Sequence, residues 1–180
     1  RQHGLALHLD GARLWNASAA SGVSEPEYAG HFDTVSVCFS KGLGAPVGSA
    51  LAGTADLIAK ARFYRKQQGG AMRQAGILAA AAMHALEHNR AHLADDHANC
   101  RTLANGLAKL PGLEVDAAGT ETNLLFIGTG GRDAAALAKR LDESGIRLLA
   151  TGPHTLRAVT NLTVTAGEIA QVLKAFEQLP

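Results

Sequence analysis

The sequence predicts an α/β fold. A β-branched, apolar run at residues 34–39 (TVSVCF) passes straight into a glycine-rich loop. An Ala-rich, strongly helix-forming stretch occupies residues 72–110, and the remainder alternates strand-like and helix-like segments. Strand, loop, strand and helix therefore precede the long helical stretch, and a small α+β region follows it. The division expected is residues 1–88 as one domain, and residues 89–180 as the long connecting helix with the small α+β domain.

Each element has its own signal. Gly4 reads as a helix stop and residues 5–9 as a short buried strand. Residues 10–18 (DGARLWNAS) read as a polar break rich in small residues. After the strand at 34–39 comes SKGLGAPVGS, with Gly at 42, 44 and 48 and Pro46, a tight loop, and residues 49–53 can return as a second strand. Residues 55–68 read as a helix broken at Gly69 and Gly70. The stretch from Met72 to Leu110 is long enough to be one bent helix or two in series, ended by Pro111 and Gly112. Beyond it, strands are expected near 113–115, at 124–127, 147–149 and 156–160. Helices are expected at 133–143, stopped by Gly145, and at 167–179, where Thr165 and Glu168 have capping-box spacing.

Composition narrows the class. Of 180 residues 47% are hydrophobic but only 4% aromatic, so small aliphatic groups must pack the core. Seventeen basic and sixteen acidic residues leave a net charge of +1, without the basic stripe of a nucleic-acid binder. No long uncharged apolar run predicts a membrane span. Cys38 and Cys100 have neither a disulfide framework nor metal-ligand spacing, which fits a reducing, cytoplasmic setting. No leader segment is visible, and the opening RQHGLALHLD reads as a helix end running into a strand, so further residues are expected before Arg1.

Three features could carry chemistry. Lys41 follows a strand inside the glycine loop. Small neighbours can hold it close to backbone and away from water, which favours the neutral amine that attacks an aldehyde. The other reading is an ordinary loop lysine or a phosphate clamp, although the lysine precedes the glycines and does not match a P-loop. Asp10 ends the first strand and can simply cap a helix. A carboxylate there also suits the pyridine nitrogen of pyridoxal phosphate (PLP), which needs an anionic partner to stay protonated. Arg157, within LRAV, either lies on an exposed edge strand or grips a carboxylate with its planar fork. His84, His88 and His92 share a helical face at i, i+4, i+8, but H-E-x-x-H is missing, and a polar face is preferred to a metal site.

Taken together, LHLDGARLWNAS, FDTVSVCFSKGLGAPVGSALAG, GGAMRQAGILAAAAMHAL and LRAVTNLTVT closely resemble the L-threonine aldolases of the low-specificity type, over essentially the whole chain. These are type I PLP enzymes of the aspartate-aminotransferase-like fold, near the β-eliminating lyases. The resemblance implies a carboxy-terminal portion: part of the large PLP-binding domain followed by the small domain. It implies that Lys41 binds the cofactor as a Schiff base and that Asp10 pairs with the pyridine nitrogen. Arg13 would sit by the phenolic oxygen and the substrate carboxylate, and Arg157 would grip that carboxylate. Lys66 and Arg73 would reach the cofactor phosphate of a neighbouring subunit, in a homo-oligomer, dimer or tetramer, with shared active sites. The implied reaction cleaves L-threonine or L-allo-threonine to glycine and an aldehyde. Other type I activities (β-elimination, transamination) and an inactive fragment stay open. Two departures stand out: Asn161 replaces the family's usual His, and nothing matches the amino-terminal phosphate loop or the ring-stacking histidine that serves the aldol chemistry.

Overall fold

The computed structural model describes residues 3–179. Its chain divides into two compact units, with the boundary between Ala91 and His92.

The first unit is built on a three-stranded sheet: β1 (His8–Gly11), β2 (Thr34–Cys38) and β3 (Ser49–Gly53), in the order β1-β2-β3. β1 and β2 run parallel, in a register that sets Asp10 beside Ser36, while β3 returns antiparallel to β2. Parallel strands need a long crossover, here supplied by α1 (Leu14–Ser21) and α2 (Glu25–Ala29). The polar break expected after residue 10 is thus a helix. Its Ala- and Ser-rich sequence is compatible with helix once Leu14 is buried, and Gly22, at φ 75°, ends it in the left-handed conformation. Ser24 caps α2 by accepting from the Glu27 amide at 3.3 Å. Gly11 has a packing role: a Cβ there would lie 2.7 Å from the Ser36 carbonyl oxygen, inside the β1–β2 contact.

The first strand also begins later than expected. Leu5 is 68% exposed, and pairing starts at His8, whose ring nitrogen Nδ1 lies 2.8 Å from Thr34 Oγ1. The other elements of this unit, α3 (Ala55–Gln67) and α4 (Gly76–His84), complete its helical part. The long helical stretch is two helices in series. After α4 the chain makes a π-turn (Ala85–Asn89) and a 3₁₀ turn (Arg90–His92) before α5 (Leu93–Leu107).

The second unit holds α5, β4 (Leu124–Gly128), α6 (Ala134–Asp142), β5 (Leu149–Gly152), β6 (Thr155–Val159) and α7 (Ala166–Glu177). Its sheet is antiparallel throughout, in the order β4-β6-β5. Leu125, Ile127, Leu156 and Ala158 point from the sheet into a core with Leu103, Leu107, Leu137, Leu141, Ile169 and Phe176 from the three helices. Asp133 caps α6, and Thr165 with Glu168 forms a reciprocal capping box on α7. The capping hydrogen bonds from Thr165 hold the Glu168 carboxyl below its usual range.

Two strand expectations are corrected here. Near 113–115 only Glu114 pairs, as an isolated bridge with Gly128. Leu113 and Val115 do pack on the core, but the Asp116 carboxylate accepts from the Gly119 amide at 2.8 Å and turns the chain away. β5 starts at Leu149 rather than ending there, because residues 144–146 are taken up closing α6 through Gly145 at φ 77°.

A buried polar seam joins α5 to the end of β6. Thr160 Oγ1 donates to the Asp96 carbonyl at 2.7 Å, and Asn123 Nδ2 donates to the Thr160 carbonyl at 2.9 Å. Burial pushes the Cys100 thiol up to about 11, against smaller opposing effects of Thr160 and Arg101, so it stays protonated. Burial, with Arg101 adding to it, lowers His97. Asp96 is 2% exposed, and its Oδ2 meets no hydrogen-bond partner among the described residues. Burial, reinforced by Asp95 and opposed by His92, raises its carboxyl to about 6.

The folded-state value of Asp96 lies above the unfolded one, so its contribution to stability is present below the ordinary carboxylate range and lost as pH rises through about 6. Asp96→Asn should therefore gain stability over the parent as pH rises from 4 to 8, by roughly 2–3 kcal/mol in denaturant titrations. A pH-independent difference would contradict this.

Candidate active site

The glycine-rich loop at 39–48 joins β2 to β3 and carries Lys41. It is closed by its own backbone: the Phe39 amide donates to the Gly48 carbonyl at 3.0 Å, Gly44 to Lys41 at 2.8 Å and Ala45 to Phe39 at 3.0 Å. Gly44 adopts φ 73°, which explains a glycine at that position. Leu43 and Ala45 are buried and anchor the loop, and the Phe39 ring lies 5.7 Å from that of Trp15 on α1. Lys41 itself is exposed. The expected desolvation of its amine is not found in this chain: the small neighbours turn Leu43 and Ala45 inward and leave the lysine facing out.

Asp10 stands one residue before the end of β1. It is also exposed, because it alternates with the inward positions Leu9 and Gly11. Its Oδ1 accepts from the Ala12 amide at 3.1 Å, shaping the turn into α1. Arg13 follows as the half-buried N-terminal flank of that helix, its carbonyl accepting from Ala17 at 3.0 Å. Since β1 and β2 are parallel neighbours, Asp10, Arg13 and the Lys41 loop all leave the sheet at its carboxyl end. In open parallel sheets this is where ligands bind.

Lys66, in the last turn of α3, and Arg73, on the α3–α4 connection, are both exposed. Next to Arg73, Gln74 has φ 52°, the one non-glycine with positive φ among the described residues and a position no sequence signal marked.

Arg157 belongs to the second unit. It sits on β6, the central strand, so the edge-strand reading is excluded. Leu156 and Ala158 face the core, and alternation turns Arg157 to the opposite face, in one row with Phe126 of β4 and Leu149 of β5. Its Nε is buried and meets no hydrogen-bond partner among the described residues. A buried guanidinium nitrogen without an acceptor is costly, and an anion on this face would satisfy it. Asn161, where the resemblance leads one to expect histidine, uses its Oδ1 locally, accepting from the Thr163 amide at 3.0 Å and hydroxyl at 2.8 Å.

Of the histidine face, the rings of His84 and His88 lie 4.4 Å apart, while His92 Nδ1 lies 3.4 Å from Asp95 Oδ2. Among the described residues no group of three or more potential ligands could hold a metal ion, and no helix is long and apolar enough to cross a membrane.

The family model for β-eliminating lyases matches residues 1–129. The chain is 43% identical to low-specificity L-threonine aldolase 1 of Arabidopsis thaliana, covering 99% of this chain and 51% of that protein. It is 42% identical to the low-specificity L-threonine aldolase of Escherichia coli K12, over 96% and 50% of the two chains. A Listeria monocytogenes structure assigned as an L-allo-threonine aldolase superimposes with a TM-score of 0.81 at 24% identity, over 98% of this chain and 53% of that one, and supports the fold. The chain thus spans about half the length of the curated relatives it matches. On the strength of the family model and these relatives, the chain belongs to the threonine aldolase and β-eliminating lyase family of fold type I PLP enzymes.

Proposed function

We propose that the complete protein is a PLP-dependent aldolase that cleaves L-threonine and L-allo-threonine, β-hydroxy-α-amino acids, to glycine and an aldehyde. The observation that carries this reading is the delivery of Asp10 and Lys41 by two parallel, hydrogen-bonded strands to one end of one sheet. The relatives from A. thaliana and E. coli support the substrate class.

The residues fit such a cofactor. A primary amine projects from a loop whose backbone is fixed, a carboxylate stands on the adjacent strand, and an arginine fork retains a buried nitrogen without an acceptor. When bound, the cofactor supplies an electron sink for the charge left at Cα when the Cα–Cβ bond breaks. Lys41 would hold the cofactor through its Nζ amine. Asp10 would keep the proton on the pyridine nitrogen. Arg13 and Arg157 would each offer a guanidinium fork to the substrate carboxylate.

Lys66 and Arg73 serve the phosphate of a neighbouring subunit's cofactor, in a homo-oligomer with shared sites. The exposed Phe63, Tyr64, Met72 and Ile77 on α3, its following connection and α4 support a subunit contact there. The breadth of the family model favours one second reading, β-elimination on the same frame. Release of acetaldehyde from threonine, without ammonia or keto acid, distinguishes the aldolase.

Two variants of the complete protein test the roles. Lys41→Ala should abolish the visible absorbance that PLP acquires on binding; an unchanged spectrum would remove the central assignment. Arg157→Ala should raise KM for threonine about 10- to 100-fold, the loss of a charge-assisted hydrogen bond, with cofactor affinity little changed. Equal loss of both would make Arg157 a structural residue only.

A further inference from the structure

The loop that carries Lys41 is held by a residue from a distant part of the same unit. Asn89 Nδ2 donates to the Leu43 carbonyl at 2.7 Å, across 46 residues of sequence. Leu43 is 1% exposed, so its carbonyl is shielded from water and depends on a protein donor. We propose that Asn89 is a positioning residue for Lys41, fixing the glycine-rich loop so that the lysine amine stands at the distance and angle its chemistry needs. This inference rests on the assignment of Lys41 as the cofactor-binding lysine.

Two structural facts support it. Asn89 ends the π-turn that interrupts the long helical stretch. A π-turn admits one extra residue, which rotates every later side chain by about 100° relative to a continuous α-helix, and such turns recur at functional sites. The phase of the helix is thereby set so that Asn89 meets the loop. The next residue, Arg90, leaves the same break to pair with Glu25 at the start of α2. Adjacent residues thus tie the break to the lysine loop and to the β1–β2 crossover.

The loop is closed on itself by three backbone hydrogen bonds, so it shifts as a unit if its anchor is lost. Removing the amide leaves the Leu43 carbonyl buried without a partner, at a cost of about 1–3 kcal/mol that the loop can relieve by moving outward. A displacement of about 1 Å at a reacting group can slow a reaction on the order of 100-fold. Lys41 would then still be present and still reactive, but poorly aimed.

The test uses the complete protein, first without cofactor and then on adding PLP. Hydrogen exchange of the peptide spanning 39–48 reports the loop directly, and the rate at which the visible absorbance appears reports the aim of Lys41. Asn89→Ala should exchange faster in this peptide, with the rest of the first unit unchanged, and should form the absorbance about 10- to 100-fold more slowly. Asn89→Gln, which keeps an amide donor, should recover part of both. If Asn89→Ala does not fold, Asn89→Ser, whose hydroxyl is too short to reach, is read in the same way. Parent-like exchange and rate in the Ala or Ser variant would overturn the proposal. Failure of the Lys41 assignment has a different signature: full absorbance in Lys41→Ala.

Discussion

The parallel pairing of β1 with β2 is the constraint on which the first unit depends. Because the two strands run the same way, whatever follows each of them emerges at the same end, and there the sequence places D-G-A-R after one and the lysine loop after the other. Gly11 permits the close approach of the strands, since a Cβ would collide with the Ser36 carbonyl. The α1–α2 crossover makes the parallel arrangement possible, and Trp15 on α1 reaches back to Phe39 at the root of the loop. The placement of these groups is thus a consequence of topology: two polar groups 31 positions apart in sequence are carried by, or directly after, neighbouring strands of one sheet.

The second unit solves a different problem. Its core is apolar and conventional, yet one face of its sheet carries an arginine between Phe126 and Leu149, with one nitrogen unsatisfied. Across the sheet, the polar seam of Asp96, Thr160 and Asn123 pins the end of the same strand to α5. Such a seam costs stability where one carboxyl oxygen, Asp96 Oδ2, is buried without a hydrogen-bond partner, and in return it pins Thr160, the residue directly after β6.

Much of this was legible in the sequence, for physical reasons that differ by element. The return strand at Ser49–Gly53 and the α7 capping box were readable because their signals are local: a turn rich in glycine, and a Thr–Glu pair at fixed spacing. α1 was not, since a short run of Ala, Ser and Asn becomes helical only when Leu14 finds its place under the sheet. The strand near 113–115 failed for the opposite reason: its apolar residues do pack, but flanking turns leave one residue to pair. Lys41, Asp10, Arg13 and Arg157 stand out as residue types in suggestive places, and the family resemblance gave them roles. Their exposure could not be read, because burial is a property of the folded surroundings. Asn89 carried no signal at all: its partner is a backbone carbonyl 46 residues away, and only the π-turn brings it there.

The account stands on Lys41 as the residue that binds the cofactor covalently. Borohydride reduction of the complete, PLP-loaded protein, followed by peptide mass spectrometry, tests this most directly, because reduction makes the carbon–nitrogen bond permanent. The account predicts a single pyridoxyl-modified peptide with the modification on Lys41. Stoichiometric modification at Lys60, Lys66 or any other lysine, with Lys41 unmodified, would contradict it.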